Sequence, residues 1–421
     1  MSTGVLTFRG GRIFDGSRLH DTHSLRFEDG VVTVFDRDDR VAPADEEIDL
    51  AGDILAPAFV DLQVNGGGGV MFNDAPTPET LAIMAAAHAG LGTGTILPTL
   101  ITDTPEHSRA AIAAVAAAVA EGVPGIGGLH LEGPHLSLAR KGAHDPALIR
   151  PMTDDDLAML VEAAGRLPVL MMTVAPENVT RAQVHSLSEA GVLVSLGHTD
   201  TDYETCIAYQ AAGARCVTHL FNAMSGLGNR EPGVVGAALD CGGLSTGLIA
   251  DGIHVHPATM RAAFAAKRGP GAIYLVTDAM APAGTDLDRF TLNGREITRV
   301  DGRLTLADGT LAGADLDLTR ALKVLTEEVG LPLDRALGAA TATPARVAGL
   351  ECRYAQAGHV RAAGPHRRRS VRLRTRAVGQ GPLPAGPGTP MRGRGSASRD
   401  RCGRISSARR SCRSRHSRHS A

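Results

Sequence analysis

Over the first 55 residues the apolar positions fall in short runs divided by turn residues: VLTF, GGRIFDG, SLRFEDGVVTVF, then the Gly52-Asp53 turn before ILAPAF. Such runs between Gly and Asp clusters predict short antiparallel strands and hairpins. They hold too few apolar residues to fill a core alone. From Pro57 the texture changes to buried-strand runs alternating with Ala-rich amphipathic stretches, the pattern of repeated βα units on a parallel sheet. The eight strand runs are FVDLQVN (59–65), GTILPTL (94–100), IGGLHLEG (126–133), PVLMMTVA (168–175), VLVSLGH (192–198), RCVTHL (215–220), LSTGLIADG (244–252) and AIYLVTDA (272–279). PETLAIMAAAHAGL supplies the first helix, with Pro78 in its first turn, and further helices are predicted from near Pro105, Thr153, Val179 and Thr201. Eight βα units over about 290 residues predict an α/β fold, a (β/α)₈ TIM barrel with a small β-sandwich domain built from the N-terminal strands.

The segment 290–313 breaks the rhythm with Asn293-Gly294, Asp301-Gly302 and Asp308-Gly309, each a hairpin signal, and predicts a β insertion near the mouth of the last strand. Helical pattern resumes in DLTRALKVLTEEVG and LDRALGAATATPARVAG. The domain plan is therefore 1–55 for the N-terminal part of the β domain, 56–345 for the barrel, 346–360 for the connection back, and 361–421 for a basic tail.

Composition narrows the class. No run of about 18 apolar residues occurs, and the N-terminus has no apolar signal core after a basic start, so the expectation is a cytoplasmic protein with no membrane partner. The six cysteines (Cys206, Cys216, Cys241, Cys352, Cys402 and Cys412) form no CxxC pair and are expected as free thiols. The net charge of −2 conceals an asymmetry. Residues 361–421 hold 17 Arg, no Lys and one acid, Asp400, which leaves 26 basic and 44 acidic residues before them.

Chemistry in a TIM barrel collects where strands end at their C-terminal side. Here strand one ends in Gln63 and Asn65, strand three in Glu132, strand five in His198, strand six in His219, strand seven in Asp251 and His254, and strand eight in Asp278. Two His with one Glu is a known hydrolytic zinc set that leaves a fourth position for water, and Glu132, His198 and His219 supply it. A carboxylate across the mouth must then take a proton from that water and return it to a leaving amine, the role expected of Asp278. His130, His88 and His185 are read as structural.

The strings PAFVDLQVNGGGG, GLHLEGPHLS, KGAHDP, SLGHTD, THLFNAM, IADGIHV, VTDAMAPAG and LAGADL, in this order, resemble the N-acetylglucosamine-6-phosphate deacetylases of the amidohydrolase superfamily, over residues 1 to about 360. The resemblance implies metal ligation by Glu132, His198 and His219, with Asp278 as catalytic acid and base. It further implies substrate contacts from Ala143, Asn222, Ala223, Arg230, Asp251, His254 and the Leu311-Ala312-Gly313 backbone. Arg230 and His254 would hold the phosphate of a small amino-sugar phosphate, the Arg reaching across from the neighbouring subunit of a homodimer. His144 is expected as a second electrophile on the acetamide carbonyl. Where many amidohydrolases carry His-x-His and a second metal, this chain reads Gln63-Val64-Asn65. Amides are poor zinc ligands, so one divalent metal per subunit is expected, zinc ahead of Fe²⁺, Co²⁺, Mn²⁺ or Cd²⁺, with Gln63 touching the metal or its water.

The tail departs from that family, which continues past the point matching Ala357-Gly358-His359-Val360 with further strands of the β domain. Residues 361–421 hold no aromatic and five Val, Leu or Ile, so they cannot form a packed core, and disorder is expected, with the last strands of the β domain missing. An out-of-frame reading of GC-rich DNA accounts for such composition. A genuine basic arm would instead bind nucleic acid or another polyanion. The function expected is deacetylation of N-acetyl-D-glucosamine 6-phosphate in amino-sugar catabolism; the galactosamine epimer, another amidohydrolase reaction, and an inactive or polyanion-binding protein are the alternatives.

Overall fold

The computed structural model describes residues 5–28, 31–44 and 46–350, with the backbone of Gly358–Val360 and Leu373–Thr375. Residues 385–421 lie wholly outside the described set, as do Cys352, Cys402 and Cys412. Two sheets flank the N-terminal core. One orders Val31–Arg37, His23–Glu28, Val5–Arg9 and Glu46–Asp49; the other orders Leu373–Thr375, Gly358–Val360, Ile54–Ala56, Arg12–Phe14 and Leu19–Asp21. Because strand side chains alternate, Arg12–Phe14 and Ile54–Ala56 each serve two cores. Ile13 and Leu55 meet Phe8, Leu25 and Phe27 of the first sheet. Their neighbours Phe14, Ile54 and Ala56 join the barrel core.

The backbone of Gly358–Val360 runs antiparallel to Ile54–Ala56, and Leu373–Thr375 pairs with it in turn. Leu373–Thr375 corrects the expectation that no strand follows residue 360, because a three-residue edge strand needs only backbone hydrogen bonds and no core of its own. The rest of the disorder expected for 361–421 falls outside the described residues.

Eight parallel strands form the barrel sheet in chain order: β1 (Phe59–Val64), β2 (Thr93–Ile101), β3 (Leu129–Glu132), β4 (Leu170–Val174), β5 (Leu193–Leu196), β6 (Cys216–Val217), β7 (Ser245–Leu248) and β8 (Ile273–Leu275). All eight fall inside the predicted runs except that β2 extends by a residue at each end. A parallel bridge from Val64 to Ala279 closes the seam between β8 and β1. Asp61 pins that seam: its carboxylate accepts the Thr277 hydroxyl at 2.5 Å and the Thr277 and Gln63 amides at 3.2 Å. Full burial pushes the Asp61 carboxyl up to about 7.

The helices begin where side chains can cap them. Thr77, Thr104, Thr153, Thr180 and Asp202 each accept a backbone amide three residues on, setting helices at Pro78–Gly90, Pro105–Ala120, Asp154–Ala164, Arg181–Glu189 and Tyr203–Ala211. The last helical stretch breaks into Leu333–Ala340 and Ala342–Val347 at Thr341, whose ψ of −89° leaves the helix. Among the described residues no helix is long and apolar enough to cross a membrane.

The insertion is a four-stranded antiparallel sheet of Arg289–Leu292, Arg295–Val300, Arg303–Thr305 and Leu311–Ala314. Asn293-Gly294 and Asp301-Gly302 sit at φ of 50°, 73°, 51° and 75°, the left-handed pair a two-residue hairpin turn requires. Leu292, Ile297 and Leu304 pack on Met71, Ile101 and Met280, which lays the sheet over the barrel mouth.

Candidate active site

Glu132, His198 and His219 converge from the ends of β3, β5 and β6. Glu132 Oε1 lies 3.1 Å from His219 Nε2 and 3.4 Å from His198 Nε2, and the two Nε2 atoms are 3.0 Å apart. Three ligand atoms held tetrahedrally about 2.0 Å from a zinc ion would stand about 3.3 Å from one another, so the set fits one ion. The donor chemistry agrees. His198 Nδ1 lies 2.8 Å from the Arg140 carbonyl, which can only accept, so Nδ1 carries the hydrogen and Nε2 offers a lone pair to the centre. All three side chains are buried, as a water-excluding centre requires.

Asp278 faces this trio. Its Oδ1 accepts Asn65 Nδ2 at 2.7 Å and Gln63 Nε2 at 3.2 Å, and Gln63 Nε2 also reaches Glu132 Oε1 at 3.1 Å. Gln63 therefore bridges the two carboxylates with its amide hydrogens. Desolvation and the charge of Glu132 push the Asp278 carboxyl up to about 6, into the range where a group both takes and gives a proton at neutral pH.

His144 Nδ1 lies 2.7 Å from the Thr102 hydroxyl and 3.3 Å from the Thr102 amide. The amide can only donate, so Nδ1 accepts and a neutral ring carries its hydrogen on Nε2, 3.9 Å from Glu132 Oε2. Burial and neighbouring His198 lower its protonation to about 3, which keeps the ring neutral. His144 is thus set up as a hydrogen-bond donor toward the centre of the mouth.

Backbone conformation aims these groups. His198, His219 and Asp278 have φ of 47°, 27° and 53°, unusual for residues other than glycine. Each turns the chain sharply as it leaves its strand, which swings the side chain over the mouth instead of into the barrel wall.

The mouth encloses a cavity of about 270 Å³ lined by Glu132, His198, His219, Asp278, His144 and Asn65, with Leu292 and Thr310 from the insertion. Ala143, Asn222, Ala223, His254, Leu311 and Gly313 also line it. Ala312 is fully buried behind the wall, in the core under the insertion. Asp251 sits beneath His254, accepting its Nδ1–H at 2.6 Å and the Ile253 and His254 amides at 2.8 Å. Arg230 is exposed on the loop after β6 and does not line the cavity.

Sequence reasoning missed Thr102, which ends the β2 region and holds His144; an uncharged residue escapes a search for titratable strand ends. It missed Arg295, whose guanidinium donates to the Ala143 carbonyl and ties the insertion to the His144 loop. Only the docked hairpin makes that pair visible.

A family profile described as the amidohydrolase family matches residues 54–354. The chain belongs to the amidohydrolase family. Among amidohydrolases it is 45% identical over 296 residues to an N-acetylgalactosamine-6-phosphate deacetylase of a Shewanella strain, covering 70% of this chain and 74% of that one. It is 36% identical over 369 residues to the human N-acetylglucosamine-6-phosphate deacetylase, covering 83% and 86%. The crystal structure of N-acetylglucosamine-6-phosphate deacetylase from Pasteurella multocida superposes with a TM-score of 0.82 at 31% identity, over 89% of this chain and 98% of that one. This amidohydrolase is accordingly a metal-dependent hydrolase acting on an amide.

Proposed function

We propose that this chain hydrolyses the acetamide of N-acetyl-D-glucosamine 6-phosphate to acetate and D-glucosamine 6-phosphate, a step of amino-sugar catabolism in the cytoplasm. The observation that carries the reading is the meeting of Glu132, His198 and His219 with Asp278 and His144 across one cavity. A divalent cation held by Glu132, His198 and His219, zinc first among candidates, would supply the Lewis acidity that acidifies water and polarises the carbonyl. Asp278 takes the proton of the attacking water on the oxygen that Asn65 and Gln63 leave free. It then passes that proton to the nitrogen as the C–N bond breaks. The His144 Nε2–H donates to the carbonyl oxygen as negative charge develops there.

His254, steadied by Asp251, and Arg230 from a partner subunit would take the 6-phosphate. The exposed position of Arg230, beside Leu227 at 63% exposure, supports a homodimer in which this loop reaches a second copy. The Shewanella relative named for N-acetylgalactosamine 6-phosphate favours that epimer as a second substrate. The test is acetate release from both epimers and from unphosphorylated N-acetylglucosamine, with metal content measured on the same sample. Activity on a 6-phosphate with about one metal per chain supports the reading, and a soluble, metal-loaded protein that releases no acetate from any of the three rejects it.

A further inference from the structure

TIM-barrel interiors are ordinarily filled by branched apolar side chains, but below this rim runs an unbroken line of polar groups. Ser195 Oγ lies 2.7 Å from Thr218 Oγ1, which lies 2.6 Å from Thr173 Oγ1. Thr173 Oγ1 lies 2.8 Å from His130 Nε2, and His130 Nδ1 lies 3.0 Å from the Leu62 carbonyl. All four side chains are at most 1% exposed.

The direction of every bond follows from the last one. The Leu62 carbonyl only accepts, so His130 Nδ1 holds the hydrogen. With its hydrogen on Nδ1 the ring offers a lone pair at Nε2, 2.8 Å from the Thr173 hydroxyl, so Thr173 donates to it. A hydroxyl has a single hydrogen. Having given its own, Thr173 receives from Thr218, and Thr218 in turn receives from Ser195. The line is polarised from β5 through β6, β4 and β3 to β1.

Its members sit directly under the rim. Ser195 is three residues before His198, Thr218 one before His219, His130 two before Glu132 on the same face of β3, and Leu62 one before Gln63. Thr173 on β4 brings no ligand and joins the two halves. Stability alone gives poor reason for such a line, since replacing mutually bonded buried partners by apolar groups of like shape is close to neutral. Geometry gives a better one. Metal-ligand distances tolerate about 0.2 Å, whereas apolar packing carries no directional preference to hold strands at one relative height.

We infer that the hydrogen-bond line from Ser195 to the Leu62 carbonyl is a positioning device that fixes the relative heights of β1, β3, β5 and β6 so that Glu132, His198 and His219 meet at one metal ion. The inference rests on reading those three residues as the metal ligands. Thr218, Thr173 and His130 are positioning residues, touching neither metal nor substrate.

The experiment uses the full chain stripped by a chelator and titrated with zinc ion against a competing chromophoric chelator, with the melting temperature of each metal-free protein recorded. T218V, which keeps the volume and loses the hydroxyl, is expected to bind zinc about 10- to 100-fold more weakly, while T218S, which keeps the hydroxyl, stays close to the parent. T218V binding as tightly as the parent, or T218S as weak as T218V, overturns the inference. A parent that takes up no zinc sinks the ligand reading and the line with it; a tight parent beside an equally tight T218V sinks the line alone. Should T218V not fold, S195A at the open end of the line gives the same titration with a loss of at least about threefold expected. Nitrogen NMR of His130 adds a readout independent of folding defects: Nδ1 protonated and Nε2 bare is the expected tautomer, and the opposite one overturns the polarity.

Discussion

The Asn65 amide donates to Asp278 Oδ1 at 2.7 Å, and with Gln63 on the same atom it leaves Asp278 one oxygen free for proton transfer. Replacing that oxygen by an amide nitrogen, Asp278→Asn, removes the group proposed to carry the proton while preserving size. Steady-state kinetics should show kcat reduced about 10²- to 10⁴-fold with metal content unchanged. Loss of the metal in this variant would instead make Asp278 a ligand.

His144 is held by Thr102 with its hydrogen on Nε2, and the role proposed for it is to donate that hydrogen to the developing oxyanion. His144→Leu should lower kcat about 10²- to 10³-fold and leave KM and metal content close to the parent. A rise in KM with kcat preserved would move His144 from catalysis to substrate binding.

Stripping the metal should abolish turnover and lower the melting temperature together, because an ion that binds only the folded chain stabilises it by mass action. At a free metal concentration 1,000 times Kd the difference is about 4 kcal/mol. Calorimetry of apo and zinc-loaded protein checks both amount and reversibility. Glu132→Gln should melt at the same temperature with or without metal.

Acid should weaken the fold partly through Asp156. Arg150 grips this carboxylate with both guanidinium nitrogens and the Thr153 cap adds two more donors, which together hold it well below the usual carboxylate range against the cost of burial. Its folded pKa is depressed, so its stabilisation is full above the unfolded value of about 3.9 and is lost as pH falls through the folded one. Denaturant midpoints of the parent and Asp156→Ala should differ at neutral pH, with about 1 kcal/mol from the lost hydrogen bonds to Thr153 alone, and should draw together below about pH 4. A difference that stays constant to low pH would show that the charge of Asp156 contributes nothing.

Gly313 has φ of 65°, and a Cβ there would stand 2.6 Å from Met280 Cγ and 2.8 Å from the Asp278 carbonyl. Gly313→Ala therefore carries backbone strain and displaces the segment that bears Asp278. A stability loss above about 1 kcal/mol and a fall in kcat are expected from the same variant. Wild-type kinetics in a folded G313A protein would show that this wall of the cavity tolerates displacement.

The barrel was legible because parallel strands buried on both faces read as near-continuous apolar runs, and a polar residue ending such a run stands out. Glu132, His198, His219 and Asp278, which the fold brings to one cavity, were all read that way. The second layer was not legible, for reasons specific to its residues. Thr173 and Thr218 are β-branched and look like ordinary strand formers, so their hydroxyls vanish into the strand pattern. Asp61 sits inside an apolar run, where its partner Thr277 is more than 200 positions away. Arg295 acquires its role only when a hairpin folds over the mouth. Arg230 could be named from the resemblance, but in the described structure it is exposed and does not line the cavity.

The left-handed backbone at His198, His219 and Asp278 also restricts what this rim can become. Histidine, aspartate and asparagine enter that region far more readily than most residues, whereas branched side chains resist it. The positions that reach over the mouth are thus open mainly to a small alphabet of polar side chains, several of which ligate metals or move protons. Selection for a new reaction here would start from a vocabulary the backbone had already shortened, and would find it easier to exchange one polar group for another than to make the rim inert.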